Sequence, residues 1–209
     1  MNALIPGLVI MDDRAGAPPH HAFWKDNQYE AGQMLQAYKS AWLPAALLEP
    51  TRQPALVDAI FASSRHRGSE FHFNKGLAAA AAEEIAAARN TATNPQVLDA
   101  FALVIIGGAG PPAYPGMPGA GSDLVRARDA VARSAKAMDE LLKVAPDAGA
   151  YVSESDYFQA NWQRAFWGTN YSKLLAIKRR HDPLGLFFVH HGVGSEDWSE
   201  DGFTRLAYT

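Results

Sequence analysis

Gly149-Ala-Tyr-Val-Ser-Glu-Ser-Asp-Tyr-Phe-Gln-Ala-Asn-Trp-Gln-Arg-Ala-Phe-Trp-Gly-Thr-Asn-Tyr171 gathers aromatic, carboxylate, amide and basic side chains into one short span. Residues 148–152 read as a strand with Tyr151 and Ser153 on one face and Val152 on the other, because successive side chains of a strand alternate. Ser155 or Asp156 then caps a helix carrying Phe158, Trp162, Ala165 and Phe166. Gly168 interrupts that helix, and a second helical segment runs from Tyr171 to Arg180. His181-Asp182-Pro183-Leu-Gly185 stops it, since proline and glycine end helices. Leu186-Phe-Phe-Val189 reads as a last short strand, followed by a glycine-broken tail.

The chain of 209 residues is one domain or slightly more, long enough to bury a substantial core. With 48% hydrophobic and 20% charged residues it has a globular composition without bias toward disorder or coiled coil. A net charge of −3 gives no electrostatic reason to expect nucleic acid or an anionic membrane as partner, which leaves small molecules and proteins. The chain has no cysteine, so disulfides, thiolate metal sites and cysteine nucleophiles are excluded, a pattern that fits a cytoplasmic location. The opening Met1-Asn-Ala-Leu-Ile-Pro-Gly lacks a basic region and a clear cleavage site and is not read as a signal peptide. No apolar run approaches the roughly 20 residues that span a bilayer.

Toward the N-terminus, residues 3–11 are expected to form a strand, and Ala15-Gly-Ala-Pro-Pro19 a loop. His20-His21 is a loop pair whose side chains diverge, unlike converging metal ligands. Asp26 or Asn27 is expected to cap a helix through Lys39, stopped by Trp42-Leu43-Pro44. Residues 54–66 read as a second helix with an apolar stripe of Leu56, Val57, Ile60 and Phe61. Residues 69–75 alternate, with Phe71 and Phe73 on one side and Glu70, His72 and Asn74 on the other, the pattern of a half-buried strand. If its polar face lines a cleft, His72 is the best-placed histidine of the first half; otherwise that face is solvated.

Residues 78–89 form a helix-favouring alanine run. Phe101-Ala-Leu-Val-Ile-Ile106 reads as a strand buried on both faces near a sheet centre. The glycine-rich run 107–121 lacks a Gly-Lys-Ser/Thr ending, and its prolines remove backbone N–H groups, so it reads as a flexible loop rather than a phosphate cradle, with Tyr114 placed to lie over a pocket. Residues 123–144 give the clearest helix, with Leu124, Val131, Met138 and Leu142 as its core stripe and the pairs Asp129/Arg133 and Asp139/Lys143 on its wet side. Lys173, Lys178, Arg179 and Arg180 read as a solvated face favoured by the helix dipole.

Three motifs in order, Tyr151-x-x-x-x-Asp156, Trp167-Gly-x-Asn-Tyr171-x-x-Leu174 and Ile177-Lys-x-x-x-Asp-Pro-x-x-x-Phe187, resemble the C-terminal region of berberine-bridge-type FAD-linked oxidoreductases of the vanillyl-alcohol-oxidase superfamily. Phe188-Val-His-His-Gly-Val-Gly-Ser-Glu-Asp-Trp198 looks like its microbial branch, and Ser40-Ala-Trp-Leu-Pro44 and Asn74-Lys-Gly-Leu77 look like that branch's substrate domain. The resemblance implies an α+β fold, an antiparallel sheet covered on one side by helices, with a helical C-terminal berberine-bridge-type segment. Residues 1–146 then correspond to the substrate-domain portion and 147–209 to the berberine-bridge-type segment, together one compact unit. It implies FAD held mainly by a separate N-terminal domain that this sequence lacks, so that the cofactor is shared with a partner chain or missing domain.

The same resemblance assigns candidate roles. Tyr151 matches a tyrosine that lies near substrate and flavin and can act as a base, which requires a phenol made more acidic by neighbouring donors or cations; a tyrosine fixed by one hydrogen bond is the alternative. Ser153 stands where the family pattern has asparagine, and a hydroxyl cannot bridge two groups as an amide can. Glu154 can act as a base or orient one, or be a solvated carboxylate. Asn170 and Tyr171 match a pair that approaches the flavin's pyrimidine edge. Trp162, Phe166 and Trp167 suit an aromatic wall for a flat substrate. The implied function is the substrate side of an FAD-dependent oxidoreductase acting on an alcohol, sugar or phenolic natural product. The alternative is a stand-alone non-redox pocket protein, such as a cyclase, isomerase or binding protein.

Overall fold

The fold is built around Ala100–Gly110, the central strand of a three-stranded sheet. We describe it from a computed structural model covering residues 21–22, 34–74, 77, 79–111, 113–114, 116 and 121–206. The expected strand at 3–11, His20, and the expected helix over 27–33 lie outside these residues; His21 is exposed. The chain divides into two compact units, one of residues 1–34 and 111–122 and one of residues 35–110 and 123–209. The second contains everything that follows, apart from Met34 and Tyr114.

In chain order the elements are β1 (Met34–Pro44), α1 (Gln53–Ser64), β2 (Glu70–Phe73), α2 (Ala82–Arg89), β3 (Ala100–Gly110), α3 (Leu124–Leu142), α4 (Trp162–Trp167) and α5 (Tyr171–His181). The strand order is β1-β3-β2, and β2 runs antiparallel to β3 with Phe71 opposite Val104 and His72 opposite Leu103. Helices α1 and α3 pack on each other, and α3 packs on β3. Between them lies the core of Ala41, Leu43, Leu47, Leu56, Ala59, Val104, Ile106, Ala137, Met138 and Leu141. The architecture is α+β, with β3 at the sheet centre as its unbroken apolar run requires.

Several sequence expectations change. Residues 34–39 are strand, not the end of a helix. Met34–Pro44 alternates, with Leu35, Ala37, Ala41 and Leu43 out of phase with Gln36, Tyr38, Ser40 and Trp42, and this period of two prevails over the capping signal upstream. The glycine run begins inside β3, whose last residues Gly107–Gly110 remain in the ladder. On α3 the buried line is Ala130, Ser134, Ala137, Met138 and Leu141, while Leu124 and Val131 are exposed. Small side chains let the helix lie close against the sheet, and that close approach outweighs the larger apolar residues one step around the helix. Likewise on α1, Leu56, Ala59 and Ser63 face inward, whereas Val57 and Phe61 are exposed.

Specific side chains close the starts of two elements. Asp123 caps α3 by accepting from Arg126 N at 3.0 Å, and Asn94 caps the 3-10 turn Pro95–Asp99 by accepting from Gln96 N at 3.1 Å. Asp129 pairs with Arg133 at 3.7 Å, but Lys143 pairs with Glu140 rather than Asp139. Residues 148–152 are not a strand, nor are 186–189, and α4 starts at Trp162 rather than near Asp156. Among the described residues no helix is long and apolar enough to cross a membrane.

Candidate functional site

The outer edge of β1 carries the segment 149–156 on a series of side-chain ties. Trp42 N donates to Gly149 O at 2.8 Å, as in a strand ladder. Tyr151 N donates to Ser40 Oγ at 3.0 Å, where a continuing strand would offer a carbonyl. Lys39 pairs with Asp156, both about three-quarters buried. Tyr38 Oη donates to Glu154 Oε1 at 3.5 Å. On the far side, Ala150 N donates to Ala165 O at 2.8 Å, and Gln96 accepts from Gly149 N. A Cβ on Gly149 would stand 2.6 Å from the Ala165 carbonyl oxygen, so this close approach requires glycine. Side chains of β1 have taken over the bonding that a neighbouring strand would supply, which is why a strand expected from alternation alone is irregular here.

Along this edge lies an open cleft of about 630 Å3, bordered by Tyr38 and Lys39 of β1, Val131 of α3, Ser153, and the aromatic group of Tyr157, Phe158 and His190. Its apolar and aromatic walls are interrupted by a few hydroxyls and one ion pair, the usual make-up of a small-molecule site. One wall is a run of stacked rings. Tyr157 and His190 stack at 4.1 Å between centroids, His190 and His191 at 3.8 Å, and His191 and Trp162 at 5.3 Å. His190 Nε2 lies 2.9 Å from Tyr157 O. Burial, and then the neighbouring His190, push the His191 imidazole pKa down, against a weaker pull upward from Asp156. The two histidines therefore serve as flat rings in a stack. Among the described residues, no group of three or more His, Asp or Glu side chains is placed to hold a metal ion.

Ser153 lines the cleft; nearby in the chain, Tyr151 and Glu154 are not among the residues that border it, and the Tyr151 ring lies edge-on to Trp42 at 6.1 Å. Asn170 and Tyr171 do other work. The Asn170 amide donates to Thr91 O at 3.1 Å and Thr93 O at 2.8 Å, fastening α5 to the turn after α2. The Tyr171 hydroxyl donates to the Glu196 carboxylate and accepts from Gly194 N, and burial, with the bond to Glu196 second, drives its pKa well above the usual phenol value. His72 is exposed and lies 3.0 Å from Glu70, on the face of β2 opposite Phe71, which packs against the core. Trp167 is half-buried, its indole N–H enclosed without a hydrogen-bond partner among the described residues. Tyr114 belongs to the other unit, where it is exposed.

The third motif acquires a physical meaning. Lys178 is not part of a solvated face: it pairs with Asp182 four residues on and donates to Phe187 O. Asp182 also accepts from Leu186 N at 2.8 Å and Phe187 N at 3.0 Å. The Lys178 bond, followed by these backbone donors, lowers the Asp182 carboxyl pKa to about 2. The motif thus folds the turn that carries the chain from α5 to the histidine stack. The residue the sequence reading missed is Tyr38, because it was placed on a helix. Its signal was the alternation of Gln36, Tyr38, Ser40 and Trp42.

The berberine and berberine-like family model matches residues 150–194, the segment tied to β1 and continuing through α4 and α5 to the stack. An uncharacterized FAD-linked oxidoreductase of Arthroderma benhamiae is 54% identical over 65 residues, 31% of this chain and 11% of that protein. The FAD-linked oxidoreductase ZEB1 of Gibberella zeae is 52% identical over 67 residues, 31% of this chain and 12% of that protein. The aligned stretch thus spans about a tenth of the curated relatives' length. In structure, the VAO-type flavoprotein MtVAO713 from Myceliophthora thermophila C1 superposes with a TM-score of 0.57 at 24% identity, over 79% of this chain and 27% of that one. FAD is the cofactor named for these relatives. Over residues 150–194 the chain is thus similar to the berberine and berberine-like family, over about a third of its length it is similar in sequence to FAD-linked oxidoreductases, and over most of its length it shares the fold of part of a VAO-type flavoprotein.

Proposed function

We propose that this chain supplies the substrate-side wall of an FAD-dependent oxidoreductase that oxidises an alcohol, sugar or phenolic natural product, with FAD shared with a partner chain or a further domain. The observation that carries this reading is the cleft along β1, where the family segment and the sheet jointly border a space of small-molecule size. Its residues fit the flat ring end of a flavin: an aromatic stack, the Ser153 hydroxyl and the Tyr38 phenol offer face contacts and single hydrogen bonds. They do not fit a pyrophosphate, because the cation bordering the cleft, Lys39, is already paired with Asp156. Phosphate donors must come from elsewhere.

A bound flavin supplies the two-electron acceptor. The chain's own residues bind and orient the substrate and handle its proton. Glu154, next in the chain to the cleft-lining Ser153 and with its N–H donating to Tyr151 O, is the acceptor for a substrate hydroxyl proton, and Tyr151 is the second candidate base. Ser153 is the hydroxyl available to the cofactor edge. Asn170 and Tyr171 contribute by fixing α5, since their polar ends are engaged within the chain.

Visible absorption spectra of the chain alone and of its complex with an FAD-binding partner test this. The expected result is a colourless chain and a yellow complex that bleaches anaerobically with substrate. A chain that retains stoichiometric FAD alone would overturn the sharing of the cofactor. Absence of flavin from every complex, together with thermal stabilisation by flavin-free ligands, would favour the non-redox pocket protein.

A further inference from the structure

We propose that the edge of the His191 imidazole is a recognition point of the cleft, accepting a hydrogen bond from a hydroxyl group of the bound small molecule. This rests on reading the cleft as the small-molecule site, and it adds the residue that selects a hydroxyl donor there. His191 borders the cleft and also a second hollow of about 380 Å3 that has the ring stack as a shared wall.

The stack engages the ring through its faces. Trp162 lies 5.3 Å away at 13°, His190 3.8 Å away, and Phe166 is tilted against it at 6.2 Å. The edge is left over: neither His191 nitrogen has a hydrogen-bond partner among the described residues. Nor is either nitrogen sealed from solvent, as the unpartnered polar atoms of Trp42, Ser134 and Trp167 are. Its neighbour differs, since His190 Nε2 lies 2.9 Å from Tyr157 O. Tyr38, Lys39, Asp156 and Ser155 of the same lining are each engaged within the chain as well.

The backbone supplies an independent observation. Val189–Gly192 is a turn closed by Gly192 N donating to Val189 O at 2.8 Å, and His191 occupies its third position with φ +57°. That is the left-handed region, which glycine enters freely and a residue with a Cβ enters only with strain. The glycine of this turn stands one position later, so an imidazole is kept where glycine would relax the chain. A strained residue in the wall of a cleft marks a functional position.

The ligand group follows from the state of the ring. Burial, followed by the charge of His190, lowers the His191 pKa against the weaker upward pull of Asp156, so at pH 7 the ring is neutral and keeps a lone pair on one nitrogen. A hydroxyl donates to that lone pair; an ether, ketone or carboxylate has no proton to offer it. The proton stays on the ligand oxygen, because a phenol, the more acidic kind of hydroxyl, still has a pKa of about 10 against about 6.5 for an ordinary imidazole. The bond is therefore one of recognition and not of deprotonation.

Phenol and its methyl ether anisole, titrated by NMR against the flavin-free chain, test this independently of redox activity. Phenol is expected to bind about fivefold more tightly, the effect of one net hydrogen bond. His191→Phe keeps a ring in the stack and should bring the preference near one. Val131→Trp, at a position that borders the cleft but not the second hollow, should weaken both probes severalfold. The readout that a merely stacked ring would not move is the His191 pKa. Because phenol binds the neutral ring, linkage requires it to lower that pKa further, by about half a unit at twice its Kd, whereas anisole leaves it in place. The other charged or titrating groups acting on the ring, His190 and Asp156 with its partner Lys39, are the same in both titrations. Equal binding of the two probes, a preference that survives His191→Phe, full binding to Val131→Trp, or a His191 pKa that phenol does not move would overturn the assignment. None of these outcomes bears on whether flavin is shared, which the absorption spectra decide.

Discussion

On the side of β1 that faces the helices, Ala41 and Leu43 are sealed against Leu56, Val104, Ile106 and Leu141. On its outer edge Tyr38, Lys39, Ser40 and Trp42 hold Glu154, Asp156, Tyr151 and Gly149 one by one. The first attachment is non-directional burial, roughly proportional to apolar area, and it specifies little beyond volume. The second is directional: each tie fixes one residue of the segment in register and orientation. The helix side therefore gives the fold its stability, while the edge gives the cleft its shape. Stability and site geometry are thus separable by mutation within eleven consecutive residues.

The largest effect is expected on the helix side. Leu43 is fully buried, so Leu43→Ala should cost about 2–5 kcal/mol through lost transfer energy and the cavity left behind. Leu43→Met, which conserves volume, should cost less than about 1.5 kcal/mol. Urea unfolding measures both. Similar losses from Ala and Met would mean that this side is also held by specific geometry, and would dissolve the contrast.

An intermediate effect is expected at the edge. Asp156→Ala leaves Lys39 without its partner and removes the acceptor for Phe158 N. Because about a quarter of each side chain is exposed, the attachment of the edge segment should weaken by about 1–2 kcal/mol rather than the roughly 3–5 of a fully buried pair. The cost is to local opening rather than to global unfolding: protease cleavage within 152–160 should increase severalfold, while the midpoint of global unfolding moves little. A loss of global stability without local loosening would show that the edge acts as core.

The same division explains what was legible in the sequence. β3 was readable because it is buried on both faces and its apolar run has no competing interpretation. The start of α3 at Asp123 was readable because it borders a long periodic helix, and the cap formed there is local, one side chain to a backbone N–H three residues on. The edge was not. Ser40 and Tyr151 are 111 positions apart, and nothing near Tyr151 announces that a serine hydroxyl stands in for a strand. Tyr38 was hidden by a helix reading that weighed a capping residue above the alternation beside it. Asn170 and Tyr171 were legible as a motif, but their hydrogen bonds to Thr91, Thr93 and Glu196 depend on which loops lie against α5. A motif identifies the family before it identifies the contact.

The smallest expected effect sharpens the contrast at the other end of the cleft, where neither burial nor hydrogen-bonded ties dominate. The stack Tyr157–His190–His191–Trp162 joins the tail to the edge segment through ring faces. Groups facing His191 are His190 beside it and Asp156, itself bound to Lys39. Its pKa in the folded chain lies below the ordinary 6.5, so the unfolded chain takes up a proton first as pH falls. The contribution to stability is fully present above about pH 6.5 and is lost as pH falls through the lower folded value. Acidification should therefore loosen the tail before it affects the sheet. NMR titration of the imidazole signals should give His191 a pKa below 6.5, and Trp162 fluorescence should change over the same range. His191→Phe keeps a ring in the stack without a titrating group, so it should abolish the fluorescence transition while leaving urea unfolding of the sheet unchanged. A His191 pKa at or above 6.5, or a transition that survives in the phenylalanine variant, would place the tail's attachment elsewhere than in the stack.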